Sequence, residues 1–129
     1  ADLNMAECEC KVHGKGNKWR TVYFDSPTLL ALKKYLATRT DNDECLFIGQ
    51  RGRLDPQGVR AMLKVIEDKS GVENVHPHRF RRTLATNLIN RGMPIQEAAF
   101  ILGHDKIDTT MKYVYIEKQN VKNAYKKFI

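Results

Sequence analysis

Four residues near the middle and end of this 129-residue chain, His78, Arg81, His104 and Tyr113, are the types needed to attack a phosphodiester without a metal. A tyrosine offers an oxygen nucleophile, and imidazole and guanidinium N–H groups donate to a charged phosphate. His78 and Arg81 are three positions apart, so on a helix they share a face about one turn apart. A guanidinium there can give two parallel N–H bonds to two phosphate oxygens, which lysine cannot reproduce. His104 follows Gly103, which frees the backbone to turn the imidazole into a cleft, and Tyr113 stands nine positions further on. Upstream, Lys15 lies between two glycines in the sequence GKGNK, a loop suited to approaching phosphate.

Each group also has a plain structural reading. Arg79, Arg81 and Arg82 crowd together as a solvated basic helix would. A Gly-His step often does no more than end a helix, and Tyr115 and Tyr125 stand near enough that any of the three tyrosines could be core. Zinc is the other chemistry these types suggest, but Cys8-x-Cys10 and His76-x-His78 fit no usual structural spacing. His76, ahead of Pro77, reads as part of a turn.

The elements that must position these groups follow from periodicity. Cys8, Cys10 and Val12 alternate with Glu7, Glu9 and Lys11, as in a half-buried strand, and Trp19 to Phe24 is aromatic and β-branched. With Gly14 to Asn17 as a turn, residues 1–24 predict a β-hairpin with Lys15 at its tip. Cys45 to Ile48 is expected to form a short third strand. Ser26-Pro27 and Asp55-Pro56 each read as an N-cap followed by proline at the first helical position. Leu29, Leu32 and Leu36 form the stripe of the first helix; Val59, Met62, Leu63 and Ile66 form that of the second, which Gly71 ends. A third helix spans His78 to Arg91 with Phe80, Leu84 and Leu88 expected in its buried stripe, and Gly92 stops it. Pro94 opens a fourth that ends at Gly103, and Asp108 or Thr109 caps a short helix carrying Tyr113. Val121, Ala124, Tyr125 and Phe128 fall at i, i+3, i+4 and i+7, the apolar face of a terminal amphipathic helix. The expectation is an α+β fold, mainly α-helical, with a small antiparallel sheet at its N-terminal end: residues 1–24 the hairpin, 25–115 a helical core, 116–129 a C-terminal helix.

The apolar fraction of 42% and charged fraction of 29% describe an ordinary globular chain, with length enough for one domain. A net charge of +7 suggests a polyanionic partner such as nucleic acid, or merely a basic surface. Three cysteines without a CxxC pair argue for reduced thiols in a cytoplasmic setting. The longest apolar run, Ala98 to Leu102, falls far short of a membrane span, and no signal peptide is visible.

Read together, HRFRRTLATNLINRGMPIQEAAFILGHDKIDTTMKY and the upstream GKGNK resemble the catalytic core of the tyrosine recombinases, the phage-integrase and Xer-type family. The resemblance implies a partial catalytic domain for DNA recombination and integration, acting through a 3′-phosphotyrosyl intermediate without a metal or other cofactor. In that scheme Tyr113 attacks the scissile phosphate, His78 helps with the tyrosine proton, and Arg81 and His104 donate to the non-bridging oxygens. Lys15, which matches the family's hairpin lysine better than Lys18, protonates the leaving 5′ oxygen. Lys18, Arg79, Arg82, Lys106 and Lys112 are candidate contacts to double-stranded DNA, and the full-length protein is expected to work as a homo-oligomer, a tetramer on DNA.

Two departures matter. The family places a further arginine on a helix ahead of the hairpin, whereas the first arginine here is Arg20. A histidine commonly follows the second motif arginine, where this chain has Arg82. The chain is therefore expected to be an incomplete fragment, inactive alone, with residues from about Ile116 mobile, self-packed or swapped onto a neighbour. A type IB topoisomerase and a DNA-binding module without catalysis remain as rivals.

Overall fold

The structure, a computed structural model, describes residues 2–104, 107–112 and 118–129. It is mainly helical with a small antiparallel sheet near its beginning, and it divides into two compact units, Ala1–Leu46 and Phe47–Ile129.

In the first unit, β1 (Leu3–Asn4), β2 (Glu9–Gly14) and β3 (Lys18–Tyr23) form one antiparallel sheet in that order. The register pairs Val12 with Arg20, His13 with Trp19 and Gly14 with Lys18. Lys15 thus sits at the turn between β2 and β3. Gly16 (φ 74°) and Asn17 (φ 57°) close that turn in the left-handed region, where glycine and asparagine are the residues least penalised. His13 Nε2 lies 2.6 Å from Asn17 Oδ1, and its ring stacks on Trp19 at 4.8 Å, so the turn is tied to the strands on both sides.

The third strand is not the expected one. Leu3 and Asn4 pair with Cys10 and Glu9. Cys45 and Leu46 take no part in a strand, because their carbonyls accept from the Arg39 guanidinium at 2.7 and 3.0 Å. Ile48–Gly49 (β4) pairs instead with Gly52–Arg53 (β5) as a separate two-stranded ribbon in the second unit.

Helix α1 (Ser26–Thr38) buries Leu32 between half-buried Leu29 and Leu36. Its cap lies one residue earlier than expected. Asp25 accepts from the Thr28 amide at 3.0 Å, which makes Ser26 the first helical residue and Pro27 the second.

In the second unit, α2 (Pro56–Ser70) is capped by Asp55, which accepts from the Gly58 amide at 2.7 Å, and ends at left-handed Gly71. Glu67 then ties α2 to the next connection, accepting from Lys64 Nζ and from the Val75 amide, both at 2.8 Å. Those two bonds hold its carboxyl below the usual carboxylate range, the lysine contributing most. Helix α3 (Pro77–Asn90) packs against α4 (Ile95–Leu102), which in turn packs against α5 (Ile107–Met111). Asp108 and Thr109 therefore lie inside α5 rather than capping it. The terminal helix is α6 (Lys118–Phe128).

The buried stripe of α3 is also corrected. Phe80 is 57% exposed and Leu84 46% exposed; they line an open apolar cleft of about 390 Å³ together with Val72, Val75, Thr83 and Arg79. The face that packs keeps Leu88, as expected, but joins it with Arg81, Ala85 and Ile89, with Ala85 fully buried. Small side chains let two helices approach closely, and the partner helix buries Ala98 and Ala99 in the same way. Size, not only apolarity, chose the face.

Candidate active site

Lys15 belongs to the first unit and His78, Arg81 and His104 to the second, so each is described where it stands. Lys15 and Lys18 are exposed, at the turn and at the start of β3. On α3, His78 occupies the second helical position and is exposed, while Arg81 is half-buried on the packed face. The helix opens at His76, whose carbonyl accepts from the Arg79 amide at 3.0 Å and whose ring meets that of His78 edge-on at 6.4 Å. His76 thus does serve the turn, as the cap of α3. Arg79 turns its Nη1 to the Glu73 carbonyl, whereas Arg82 and Lys112 are exposed. Lys106 and Tyr113 lie outside the described residues.

His104 is the most constrained of the set. The helix before it ends in a Schellman turn: Gly103, at φ 70°, sends its amide to the Phe100 carbonyl at 3.1 Å, and the His104 amide reaches the Ala99 carbonyl at 2.9 Å. That backbone fixes where the imidazole starts. Its ring is then held by α5, with Nδ1 2.8 Å from the hydroxyl of Thr110, a residue that is 0% exposed. A half-buried imidazole anchored at both backbone and ring is a stiff donor, suited to stabilising charge at a chosen point. The Gly-His step singles out His104 in the sequence, whereas Thr110, a threonine in a polar stretch, carries no signal until its burial is known.

The cysteines Cys8, Cys10 and Cys45 are free thiols. Among the described residues no group of three or more His, Cys, Asp or Glu is placed to hold a metal ion, and no helix is long and apolar enough to cross a membrane.

The phage integrase family matches residues 1–120. Tyrosine recombinase XerC of Leptospira interrogans is 39% identical over 122 residues, covering 91% of this chain and 39% of that protein. The XerC of Oceanobacillus iheyensis is 35% identical over 136 residues, covering 98% and 45%. Among solved structures, XerA recombinase superposes with a TM-score of 0.78 at 28% identity, over 98% of this chain and 48% of its own. The Tn1549 transposon integrase in complex with a circular intermediate DNA shares the fold, with a TM-score of 0.73 at 18% identity, over 99% and 51%. The chain spans 39% and 45% of the length of the two XerC relatives and about half that of the two solved structures.

Proposed function

The chain belongs to the phage integrase family, and from that premise we propose that it is the catalytic portion of a site-specific DNA recombinase. The observation that carries this is the extent of the match, which takes in Lys15, His78, Arg81, His104 and Tyr113 together. In the proposed reaction the Tyr113 phenol attacks a scissile phosphate and forms a 3′-phosphotyrosyl link, so the bond energy is conserved. A phenol has a pKa near 10, and His78 assists by accepting its proton. Arg81 and His104 donate to the non-bridging oxygens as charge builds on them; loss of one such donor costs on the order of 10²- to 10³-fold in rate. Lys15 protonates the leaving 5′ oxygen. The 5′-hydroxyl of a partner strand then reverses the step, and strands are exchanged without ATP.

Lys18, Arg79, Arg82, Lys106 and Lys112 are assigned to the DNA backbone, with Arg79 the weakest of these because the Glu73 carbonyl already engages it. The exposed apolar face of α6, with Val121, Tyr125 and Phe128, supports docking of residues 116–129 on a neighbouring protomer in a tetramer on DNA. No arginine precedes Arg20, so the 129 residues alone are expected to bind DNA without completing cleavage.

A nicked suicide duplex that traps the covalent intermediate tests this in the full-length protein. DNA label should pass to the wild type and not to Tyr113→Phe. Abolition by Tyr115→Phe instead would move the nucleophile, and no transfer in the wild type leaves only a DNA-binding module.

A further inference from the structure

Among the described residues, Thr110 is the buried polar side chain, and its hydroxyl points at the ring of a residue assigned to catalysis. Burying a hydroxyl is unfavourable unless it is hydrogen-bonded, and valine would fill the same space without that requirement. The hydroxyl therefore needs a reason, and His104 Nδ1 at 2.8 Å supplies one.

We propose that Thr110 is a positioning residue that donates to Nδ1 of His104 and thereby keeps the proton of the neutral imidazole on Nε2. The inference rests on the reading of His104 as a phosphate donor and adds to it the group that makes donation possible. A neutral imidazole has one N–H and one lone pair. If Nδ1 carried the proton, Nε2 would turn a lone pair toward an anionic oxygen, and the contact would be repulsive. With the hydroxyl donating to Nδ1, the N–H falls on Nε2. Should the ring become cationic, the same hydroxyl can rotate and accept from Nδ1, so the ring keeps its orientation in either state. A carboxylate in place of Thr110 would also orient the ring, but it would set a negative charge beside the phosphate to be bound. A hydroxyl orients without that penalty. The Schellman turn and this bond act on different torsions: the first fixes the backbone of His104, the second its ring.

The test is nitrogen NMR of the selectively labelled His104 imidazole in this chain, which separates the two tautomers by their chemical shifts. The wild type should hold the Nε2–H form, Thr110→Val should give a mixture, and Thr110→Ser should restore the wild-type ratio. An Nδ1–H wild type, an unchanged ratio in Thr110→Val, or a folded Thr110→Ser that behaves like valine each overturns the proposal. Should Thr110→Val fail to fold, Thr110→Ser against Thr110→Ala gives the same comparison. In the full-length protein, suicide-substrate cleavage should slow on the order of 10-fold in Thr110→Val and recover in Thr110→Ser. The two possible failures are separable. No tautomer effect, with His104→Ala still damaging cleavage, sinks the assignment of Thr110 alone. A clear tautomer effect, with His104→Ala harmless, sinks the reading of His104 itself.

Discussion

At the scale of single residues, left-handed backbone positions close turns and end helices, and some of them set the course of a nearby side chain. Gly103 is the clearest case. Its φ of 70° belongs to the left-handed region, and a Cβ there costs about 1–2 kcal/mol. Gly103→Ala should therefore lower stability by about that amount in denaturant titrations, with an unchanged dependence on denaturant concentration. It should also disturb His104 more than its distance from the core suggests, because the amide that follows is part of the same turn. Gly103 as the end of α4, with His104 just past it, was legible in the sequence from type and spacing. Thr110 was not, since what distinguishes it is burial, which one sequence does not display.

At the scale of elements, local hydrogen bonds decided what periodicity left open. The proline-led starts of α1 and α2 were readable, yet Asp25 rather than Ser26 caps α1, because a carboxylate one residue earlier reaches the Thr28 amide. The third strand was misplaced because Arg39 takes the carbonyls of Cys45 and Leu46, while a two-residue strand at Leu3–Asn4 is too short to show alternation. The stripe of α3 went to its largest apolar residues, whereas close helix packing selected the alanine face. The Arg39 loop carries a pH signature of its own. Hydrogen bonding by Arg39, with help from the Asp43 amide, holds the Asp41 carboxyl at about 2, below its ordinary 3.8. A carboxyl depressed on folding contributes stability that is complete above its unfolded value and lost as pH falls through the folded one. Thermal melts taken from pH 5 down to 2 should thus show a progressive loss at the acid end, and Asp41→Asn should flatten that part of the profile. Glu67, depressed chiefly by Lys64, adds to the same acid limb and will remain in the variant.

At the scale of the whole molecule, a net charge of +7 and a set of open apolar residues point to partners of two kinds. Phosphate contacts release counterions, so affinity for duplex DNA should fall steeply with salt, and each phosphate contact removed should lower the log–log slope by about 0.9. Replacing Arg82 by Gln should lower the slope by about that step in fluorescence anisotropy titrations; an unchanged slope removes Arg82 from the DNA surface. On the proposed reading, the open apolar face of α6 docks on a neighbouring protomer. In the full-length protein, paired Val121→Asp and Tyr125→Asp changes should leave single-site DNA binding in place while reducing higher assemblies in sedimentation on DNA. Fold class and family were both legible from sequence, because repeated caps, a glycine-flanked lysine and spaced chemical groups agree with one another. How much of the surface lies open was not, since it depends on what each helix finds to pack against.

The Schellman turn at the end of α4 makes that helix a measuring rod. Each residue in a helix advances the chain by about 1.5 Å and turns it by about 100°. Adding or deleting one residue anywhere from Ile95 to Leu102 would barely alter composition or hydropathy. It would nonetheless swing the imidazole beyond the terminal glycine around the helix axis and off its bearing. Substitutions along the exposed side of this segment should be forgiven, but its length should not.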